Sequence, residues 1–570
     1  MSAQMIRTHW AALALAAVIG GLLILPSFWA KFNWGIPLGD PLNIRIADEY
    51  YYFARIREVF DGYPLSGDAF TWEHKSGLAG QPVFLGEYLT AQAIRLTGLD
   101  VVAGSVVLDA VLPVFAVLLT YACLFAVTAS RGLSLLGVAV LLLGFFRGDL
   151  ARTVSPQMNF IFWLSQFFLL HRLATSDLRG RAGALLVALA ALNFGLLFYI
   201  YPYYWTFYLA LFCIAFLFAL AGRAYGYAKA LAVTVGGGLV VALPYLWLMM
   251  RTVSSSAYVE TVRRIGMIDS HFPSGIAIVV PALLLVALTA LLVWRRIIRW
   301  SPTLAFLAAG TLAAMASVNQ HLVTGKNLEF SSHYYPLSVF WFTFFCAYLA
   351  VAVARHWGWQ RVVSILAGVS AVAVVTFGVW QSIPPQFNAE RGELRRYLPL
   401  FRWLETNSAR DEVVFAHLAL SNLVPIYTGN NVFFSSFLRL SHLSDAEVLD
   451  RFAIAMQSEP FRPDDAVRVV FGVQYLDKAL HAAQENRVRR LLGLPERLVD
   501  PVPASAVERI RQRLDDVRRE GMAASLRRYR IDYLVIDRRH EPARELRAGL
   551  EAERVYDEGD FVVYRLSDRR

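Results

Sequence analysis

The sequence predicts an all-α polytopic membrane domain with about eleven transmembrane helices, followed by a C-terminal α/β extracytoplasmic domain. Composition is the first observation, because the 570 residues are 57% hydrophobic and only 17% charged, which excludes an ordinary soluble enzyme. Long apolar stretches recur over residues 1–382, and they form the predicted membrane domain. Charged residues become frequent and apolar runs become short over 383–570, which predicts a separate soluble domain.

Eleven stretches are apolar enough to be membrane helices, each of which needs about 20 residues to cross the bilayer. They are 10–30, 101–127, 132–146, 158–171, 183–199, 204–221, 230–250, 276–294, 303–318, 337–354 and 362–382. The first stretch follows Arg7 and is too long for a cleaved signal peptide, so we interpret it as a signal anchor. A long loop over 31–100 separates it from the second stretch.

Basic residues set the predicted orientation, because short cytoplasmic loops are enriched in Lys and Arg. With a cytoplasmic N-terminus, the inner segments contain twelve basic residues and a single acid, Asp177. These basic residues are Arg7, Arg131, Arg172, Arg179, Arg181, Arg223, Lys229, Arg295, Arg296, Arg299, Arg355 and Arg361. An odd number of spans then places the loop 31–100 and the domain 383–570 on the outer, periplasmic side of the cytoplasmic membrane. The net charge of +10 therefore reflects orientation, and no nucleic-acid partner is predicted.

The C-terminal domain is predicted to have mixed α/β topology. Capping boxes, in which a serine accepts a hydrogen bond from a free helix amide, are predicted at Ser444 with Glu447 and at Ser505 with Glu508. Three short apolar runs predict buried strands: 413–415, 533–536 and 561–564. The domain has no Gly-rich phosphate loop, metal-ligand cluster or nucleophile elbow, which favours a lid or acceptor-docking role over independent catalysis.

The loop 31–100 carries the candidate catalytic residues. Its sequence predicts a helix from about Asp48 to Phe60 that begins with the adjacent acids Asp48 and Glu49. The helix dipole alone also favours two acids at this position. A second segment, 82–96, is amphipathic enough to lie along the membrane surface. An acidic pair at the outer surface, beside apolar helices, is well placed to meet a lipid-linked substrate.

This loop resembles the GT-C superfamily of membrane glycosyltransferases, most closely the protein O-mannosyltransferases and lipid A aminoarabinose transferases. Asp48 and Glu49 match the family's acidic pair, and Arg57 and Glu58 match the Arg-Glu that follows it. The resemblance implies a many-spanning helical core, an active site at the extracytoplasmic face and a polyprenyl-phosphate sugar donor. The chain departs from the aminoarabinose transferases at 81–84, where it has Gln-Pro-Val-Phe in place of Lys-Pro-Pro-Leu. It also lacks the Trp-Trp-Asp signature of oligosaccharyltransferases, so transfer to asparagine is not expected.

The chemistry implied by this resemblance explains why a carboxylate is needed. An acceptor hydroxyl attacks the anomeric carbon while the lipid phosphate leaves, and a carboxylate can remove the hydroxyl proton as general base. We predict that Asp48 is this base, that Glu49 orients it or binds the acceptor, and that the transfer inverts the anomeric configuration. His333 and Glu329 alone are too few ligands to predict a metal site, so metal dependence is left open.

The leaving phosphate needs cations, which other outer loops supply. Paired arginines suit bidentate phosphate contacts and a lysine acts as a point charge. The predicted donor-phosphate site consists of Arg152, Arg263, Arg264, Lys326 and His333. Contacts with anionic lipid head groups are the alternative explanation for any one of these residues.

Two other functions fit a polytopic membrane protein. A transporter or flippase for a lipid-linked glycan would place ionisable residues near the bilayer midplane, often within internal repeats. The spans of this chain contain few charges, although Asp109 lies in the second one, and no repeat is evident. A non-catalytic scaffold remains possible if the two acids only cap a helix. The sequence therefore favours a glycosyltransferase whose acceptor is a glycan, lipid or protein.

Overall fold

The structure is a computed structural model that describes residues 3–65, 67–77, 79, 83–146, 148–381, 392–456, 462–540 and 550–567. Each predicted membrane span overlaps one helix of a bundle, and the third, 132–146, comprises the helix Arg131–Ala139 and the π-helix Val140–Phe145 that follows it. The bundle helices are α1 (Ala3–Trp34), α4 (Val101–Thr128), α5 (Arg131–Ala139), α6 (Asn159–Thr175), α7 (Gly180–Ile200), α8 (Pro202–Ala221), α9 (Tyr225–Val253), α11 (Ile276–Trp294), α12 (Pro302–Val318), α14 (Tyr334–His356) and α15 (Gln360–Gln381). Within the described ranges, nine helices are long and apolar enough to cross a membrane. The chain is a multi-pass membrane protein, in which α5 is the shortest bundle helix.

Aromatic side chains fill the core of the bundle, where Trp163, Phe207 and Trp341 are fully buried. A Cβ added at Gly310 of α12 would lie 1.8 Å from the ring of Trp341 on α14. The indole Nε1 of Trp341 donates to the carbonyl oxygen of Leu307 at 2.9 Å. A small residue at position 310 is therefore what allows α12 and α14 to pack closely.

The loops 31–100, 251–275 and 319–336 contribute short elements at one end of the bundle. These are α2 (Asp48–Phe60), α3 (Leu85–Arg95), α10 (Tyr258–Ile265), α13 (His321–Thr324), and the antiparallel strands β1 (Ile268–Asp269) and β2 (Lys326–Asn327). Both helices predicted in the loop 31–100 are present. The second, α3, packs against α2 and α4 and buries Glu87, Thr90 and Ile94.

A five-stranded mixed sheet forms the centre of the C-terminal region. Its strands are β3 (Val413–Phe415), β4 (Asn431–Val432), β5 (Tyr533–Asp537), β6 (Ala552–Glu558) and β7 (Phe561–Leu566), in the order β4-β3-β5-β7-β6. β3 is parallel to β4 and β5, whereas β7 is antiparallel to β5 and β6. The three predicted strands are confirmed. β4 and β6 escaped prediction because β4 has two residues and β6 is a largely exposed, polar edge strand.

Helices surround this sheet and connect it to the bundle. They are Leu398–Asn407, Leu418–Ser421, Val424–Tyr427, Asp445–Ala455, Pro463–Phe471, Gln474–Leu491, Ala504–Glu520 and Met522–Leu526. The predicted cap at Ser444 is confirmed, since its Oγ accepts from the amide of Glu447 at 3.2 Å. The predicted cap at Ser505 is wrong, because Pro503 occupies the N-cap and Ser505 already lies within the first turn.

The first outer loop and the C-terminal region share one hydrophobic core. Phe53 and Ile56 of α2 belong to the same buried cluster as Val414 and Val535 of the sheet. Ionic contacts reinforce this packing: Lys75 of the loop lies 3.0 Å from Glu58 and also pairs with Asp411 beyond the bundle. The sheet thereby holds α2 in place over the end of the bundle.

Candidate functional site

A cavity of about 330 Å³ lies where α2, α6, α8 and α14 begin, at the end of the bundle that carries the C-terminal region. Its walls come from α2, the segment before α6, the start of α8, the segment before α14 and the 3-10 helix Ser436–Leu440. The charged residues that line it include Asp48, Arg55, Arg152, Glu329, His333 and Arg439. Tyrosines 51, 52, 201, 203 and 204 supply most of its aromatic wall.

Asp48 faces this cavity from the first turn of α2. Its side chain is 59% exposed, and Oδ2 lies 3.3 Å from Nη1 of Arg152. The N-cap residue of α2, Ala47, provides no capping side chain. Although the helix dipole stabilises a carboxylate here, Asp48 is not the N-cap of α2, and its carboxylate is available to a ligand.

Glu49 has a different role from its neighbour and does not line the cavity. It is 3% exposed, and Oε2 accepts from the backbone amide of Arg45 at 2.8 Å and from that of Ile46 at 3.4 Å. Burial, followed by the nearby charge of Asp109, raises the pKa of Glu49 to about 7 despite these hydrogen bonds. Glu49 therefore fixes the turn that leads into α2.

Asp109, the acid within the second span, joins this turn to the segment that carries Arg152. Its Oδ1 accepts from Gln157 at 2.7 Å and from Thr153 at 3.2 Å, and its Oδ2 lies 3.7 Å from Arg45. Asp109 thus binds hydroxyl, amide and guanidinium partners together, and these contacts set the position of Arg152 relative to α2.

His333 lies on the opposite wall, with both ring nitrogens engaged. Nδ1 is 2.6 Å from the hydroxyl of Tyr201, and Nε2 is 2.8 Å from Oε2 of Glu329. Tyr203 also donates to Glu329 Oε2 at 2.7 Å. Burial disfavours the charged form of Glu329, but the charge of His333 and these hydrogen bonds outweigh burial and lower the pKa of the carboxyl. The pair presents a fixed polar edge to the cavity.

The other three predicted phosphate-binding residues are placed differently. Arg264 borders the cavity, but its guanidinium is fully buried, pairs with Asp445 and donates to the carbonyl oxygens of Ser441 and Leu443. Its exposed neighbour Arg263 does not line the cavity. Lys326 also lies outside it and pairs with Asp269 across the β1–β2 ladder. The structure therefore brings Asp48, Arg152 and His333 together, with Arg264 behind them, and leaves Glu49, Arg263 and Lys326 outside.

Two cations of the cavity were missing from the predicted site. Arg439 projects from the 3-10 helix Ser436–Leu440, with its guanidinium 5.6 Å from the ring centre of Phe437. Burial lowers the pKa of Arg439, whereas the charge of Asp48 raises it. No local pattern marks Arg439, because it reaches the cavity only through the fold of the C-terminal region.

Arg55 is the second missed cation, and a signal for it did exist. It lies seven residues after Asp48 on α2, a spacing that puts both residues on one helix face. Its Nε donates to Oε1 of Glu87 at 2.8 Å and its Nη2 donates to the carbonyl oxygen of Val83 at 2.6 Å. Arg55 therefore holds α3 and its preceding segment at the cavity wall.

The remaining motif residues lie away from the cavity. Arg57 contacts Asp61 and lies 2.7 Å from Glu405, and Glu58 contacts Lys75, so the Arg-Glu pair joins α2 to its surroundings. Of the segment 81–84, residues 81 and 82 are outside the described residues, while Val83 lines the cavity. No group of three or more His, Cys, Asp or Glu side chains in the described parts of the chain is arranged to hold a metal ion.

Comparisons with known proteins find similarity among solved structures alone: no family model and no curated protein matches the sequence. The oligosaccharyltransferase of Archaeoglobus fulgidus in the apo form is 13% identical over 94% of this chain and 70% of that chain, with a TM-score of 0.47. Its complex with Zn and sulfate gives 13% identity over 93% and 68% of the two chains and a TM-score of 0.44. Archaeal oligosaccharyltransferase AglB from Archaeoglobus fulgidus, bound to an inhibitory peptide and a dolichol-phosphate, is 13% identical over 95% of this chain and 70% of that chain, with a TM-score of 0.45. All three are structures of an oligosaccharyltransferase of Archaeoglobus fulgidus.

Proposed function

We propose that this protein is a glycosyltransferase that moves a sugar from a polyprenyl-phosphate donor to an acceptor hydroxyl at the outer face of the cytoplasmic membrane. One observation carries the proposal: a carboxylate, Asp48, faces a cavity at the end of a membrane bundle beside the cation Arg152, and Arg439 lines the same cavity. A base next to phosphate-binding cations is what an inverting transfer from a lipid phosphate requires.

In the proposed reaction, the acceptor oxygen bonds to the anomeric carbon while the bond from that carbon to the phosphate oxygen breaks. Asp48 removes the acceptor proton. The acceptor oxygen attacks the face of the anomeric carbon opposite to the lipid phosphate, so the configuration at this carbon inverts as the phosphate leaves. Arg152 and Arg439 stabilise the charge that develops on the phosphate. His333, held by Glu329 and Tyr201, borders the donor pocket, and Glu49 positions Asp48 through the turn before α2.

The proposed side of the membrane follows from charge. The loops that carry the twelve basic residues alternate along the chain with the loops that line the cavity. Because basic short loops stay in the cytoplasm, the cavity and the C-terminal region are assigned to the outer side. Labelling of a single cysteine placed at exposed Asp269 by a membrane-impermeant reagent in intact cells tests this assignment.

The flippase alternative lacks a supporting arrangement in the bundle. Asp109, the described acid within a span, is engaged by Thr153, Gln157 and Arg45, which hold the cavity wall together. Such an ion pair beside the cavity suits a fixed site better than a path through the bilayer midplane.

The test compares transfer from labelled polyprenyl-phosphate sugars in membranes containing the wild type, Asp48→Asn or Asp269→Asn. We expect Asp48→Asn to lower turnover by about 10²–10⁴-fold, because the general base is lost while shape is kept. The matched variant Asp269→Asn removes an outer carboxylate away from the cavity and should retain activity. Equal transfer by both variants would remove Asp48 from the mechanism, and movement of the intact donor across the membrane without transfer would support a flippase.

A further inference from the structure

An apolar segment of the C-terminal region is fully exposed. Every residue of 491–500 is exposed, including four leucines and a valine. Leu491 and Leu498 are 86% and 93% exposed, and Leu492, Leu494 and Val499 are exposed as well. A soluble surface seldom concentrates so many large apolar side chains in so short a stretch, so the segment marks an interaction surface.

Internal contacts hold this segment in one conformation. The amide of Leu494 donates to the carbonyl oxygen of Arg489 at 2.9 Å, and Nη1 of Arg489 donates to that of Pro495 at 3.2 Å. Asn486 and Arg497 exchange two hydrogen bonds of 2.8 Å through the Asn486 side chain and the Arg497 backbone. These hydrogen bonds join the segment to the helix that precedes it and leave its leucines exposed.

The helix that precedes the segment, Gln474–Leu491, descends toward the membrane-spanning helices. Just before its first turn, the amide of Val473 donates to the carbonyl oxygen of Arg264 at 3.0 Å. Two turns on, His481 Nε2 lies 2.7 Å from the hydroxyl of Ser270.

Near its end, Arg489 lies 5.8 Å from the ring centre of Phe272. Successive positions along this helix therefore contact Arg264, Ser270 and Phe272, in that order. The span α11 begins four residues after Phe272, at exposed Ile276. The end of the helix and the leucines after it consequently lie near the level at which α11 enters the bilayer.

Positive charge accompanies the leucines. Arg487 and Arg490 are exposed on the last turns of the helix, and Arg497 lies within the segment. Arg490 pairs with Glu496 at 3.0 Å and Arg497 pairs with Glu485 at 3.2 Å, whereas Arg487 has no ion pair among the described residues. Leucines bordered by arginines are the composition of elements that lie in the head-group region of a membrane.

We infer that the segment 491–499 docks into the bilayer leaflet at which α11 begins, with its leucines among the upper acyl chains and with Arg487 and Arg490 of the preceding helix turns on anionic phospholipid head groups. This surface anchors the C-terminal region to the membrane. Val473, at the start of the same helix, lines the cavity, so the anchor also fixes the height of the cavity wall above the bilayer. The inference goes beyond the proposed transferase activity and does not depend on it.

The test places an environment-sensitive fluorophore on Leu498→Cys in the full-length protein, in a background with Cys123, Cys213 and Cys346 replaced by serine. The matched control is Glu508→Cys, which is exposed on the helix Ala504–Glu520. Both proteins are reconstituted in nanodiscs of phosphatidylcholine alone or with phosphatidylglycerol. We expect emission at position 498 to shift to shorter wavelength, and a phospholipid spin-labelled near its head group to quench it several-fold more strongly than at 508. The effect should be larger when phosphatidylglycerol is present.

A second variant separates docking from folding. Leu492→Glu combined with Leu494→Glu changes only exposed side chains, so the protein should fold, while lipid quenching of the label at 498 should fall to the level seen at 508. Equal quenching at 498 and 508 in both lipid mixtures would overturn the inference, as would a label at 498 that leaves water only when a second protein is added. Because the readout is fluorescence, either result is independent of transferase activity.

Discussion

At the scale of single residues, two adjacent acids of one helix start have separate roles. Asp48 points into the cavity beside Arg152, whereas Glu49 turns inward and accepts the backbone amides of Arg45 and Ile46. Glu49 is 3% exposed and is absent from the cavity lining, whereas Asp48 is part of that lining. The helix dipole favours acidic residues at this helix start, and the proposed general-base role requires a carboxylate at Asp48.

The pKa of Glu49 predicts how this turn responds to pH. Burial raises that pKa from 4.5 to about 7, so the folded protein keeps the carboxyl protonated over a range in which the unfolded chain ionises it. The stabilisation is complete below pH 4.5 and is lost as pH rises through about 7. Glu49→Gln retains the accepting oxygen but cannot ionise. We expect the thermal unfolding temperature of Glu49→Gln in detergent, relative to that of the wild type, to increase as pH is raised from 4.5 to about 7.

Glu508→Gln is the control for this measurement, because Glu508 is exposed and its substitution should leave the pH profile of the unfolding temperature unchanged. A Glu49→Gln profile parallel to that of the wild type would contradict the assigned burial of a protonated carboxyl. Retention of transfer activity by Glu49→Gln is expected as well, since the proposed base is Asp48.

At the scale of elements, α10 contacts the C-terminal region, and Arg264 is its fully buried side chain in this contact. Arg264 is fully buried, pairs with Asp445 at the start of the helix Asp445–Ala455, and donates to the carbonyl oxygens of Ser441 and Leu443. These carbonyls follow directly on the 3-10 helix that carries Arg439. The arginine predicted to bind phosphate thus holds the element that presents another arginine to the cavity.

Loss of this connection should destabilise the protein. Arg264→Met leaves Asp445 and two carbonyl oxygens without their cation, and breaking a buried pair of this kind costs about 3–5 kcal/mol. We expect a clearly lower thermal unfolding temperature in detergent together with loss of transfer. Arg263→Met, at the exposed neighbouring position on the same helix, should leave both properties close to wild type. Similar unfolding temperatures for the two variants would show that the buried contacts of Arg264 add little.

At the scale of the whole molecule, the outer loop and the C-terminal region fold as one unit. Phe53 and Ile56 of α2 share a core with Val414 and Val535 of the sheet, although more than half of the chain separates them. The bundle has its own aromatic core. The candidate cavity lies where these two cores meet, so its walls depend on both.

This shared core predicts that the C-terminal region is not self-sufficient. A fragment of residues 392–567 lacks α2 and α3 and exposes the apolar side chains that they cover. We expect the isolated fragment to aggregate or to bind a hydrophobic dye strongly, and the same region to resist proteolysis in the full chain. A soluble, monomeric fragment with well-dispersed amide resonances would contradict this prediction.

Local patterns were sufficient for most of the elements. The apolar stretches located the bundle helices, and the three apolar runs located β3, β5 and β7. This works because a segment that is buried along its length consists mostly of apolar residues. Ser505 was misassigned since a capping pattern does not show that Pro503 already occupies the N-cap. The candidate site was predicted in part: Asp48, Arg152 and His333 line the cavity, while Lys326 pairs with Asp269 outside it.

The sequence by itself determined that this is a multi-pass membrane protein, where its helices lie along the chain, and that Asp48 begins a helix in the loop 31–100. Hydrophobicity and helix-start preferences act over a few residues and can be read directly. Only the tertiary structure decided that Glu49 turns inward, that Arg264 is buried against Asp445, and that Arg439 joins Arg152 at the cavity. These outcomes depend on contacts between segments far apart in the chain. The neighbours that tertiary packing places beside a charged side chain decide whether it forms a buried ion pair or faces the cavity.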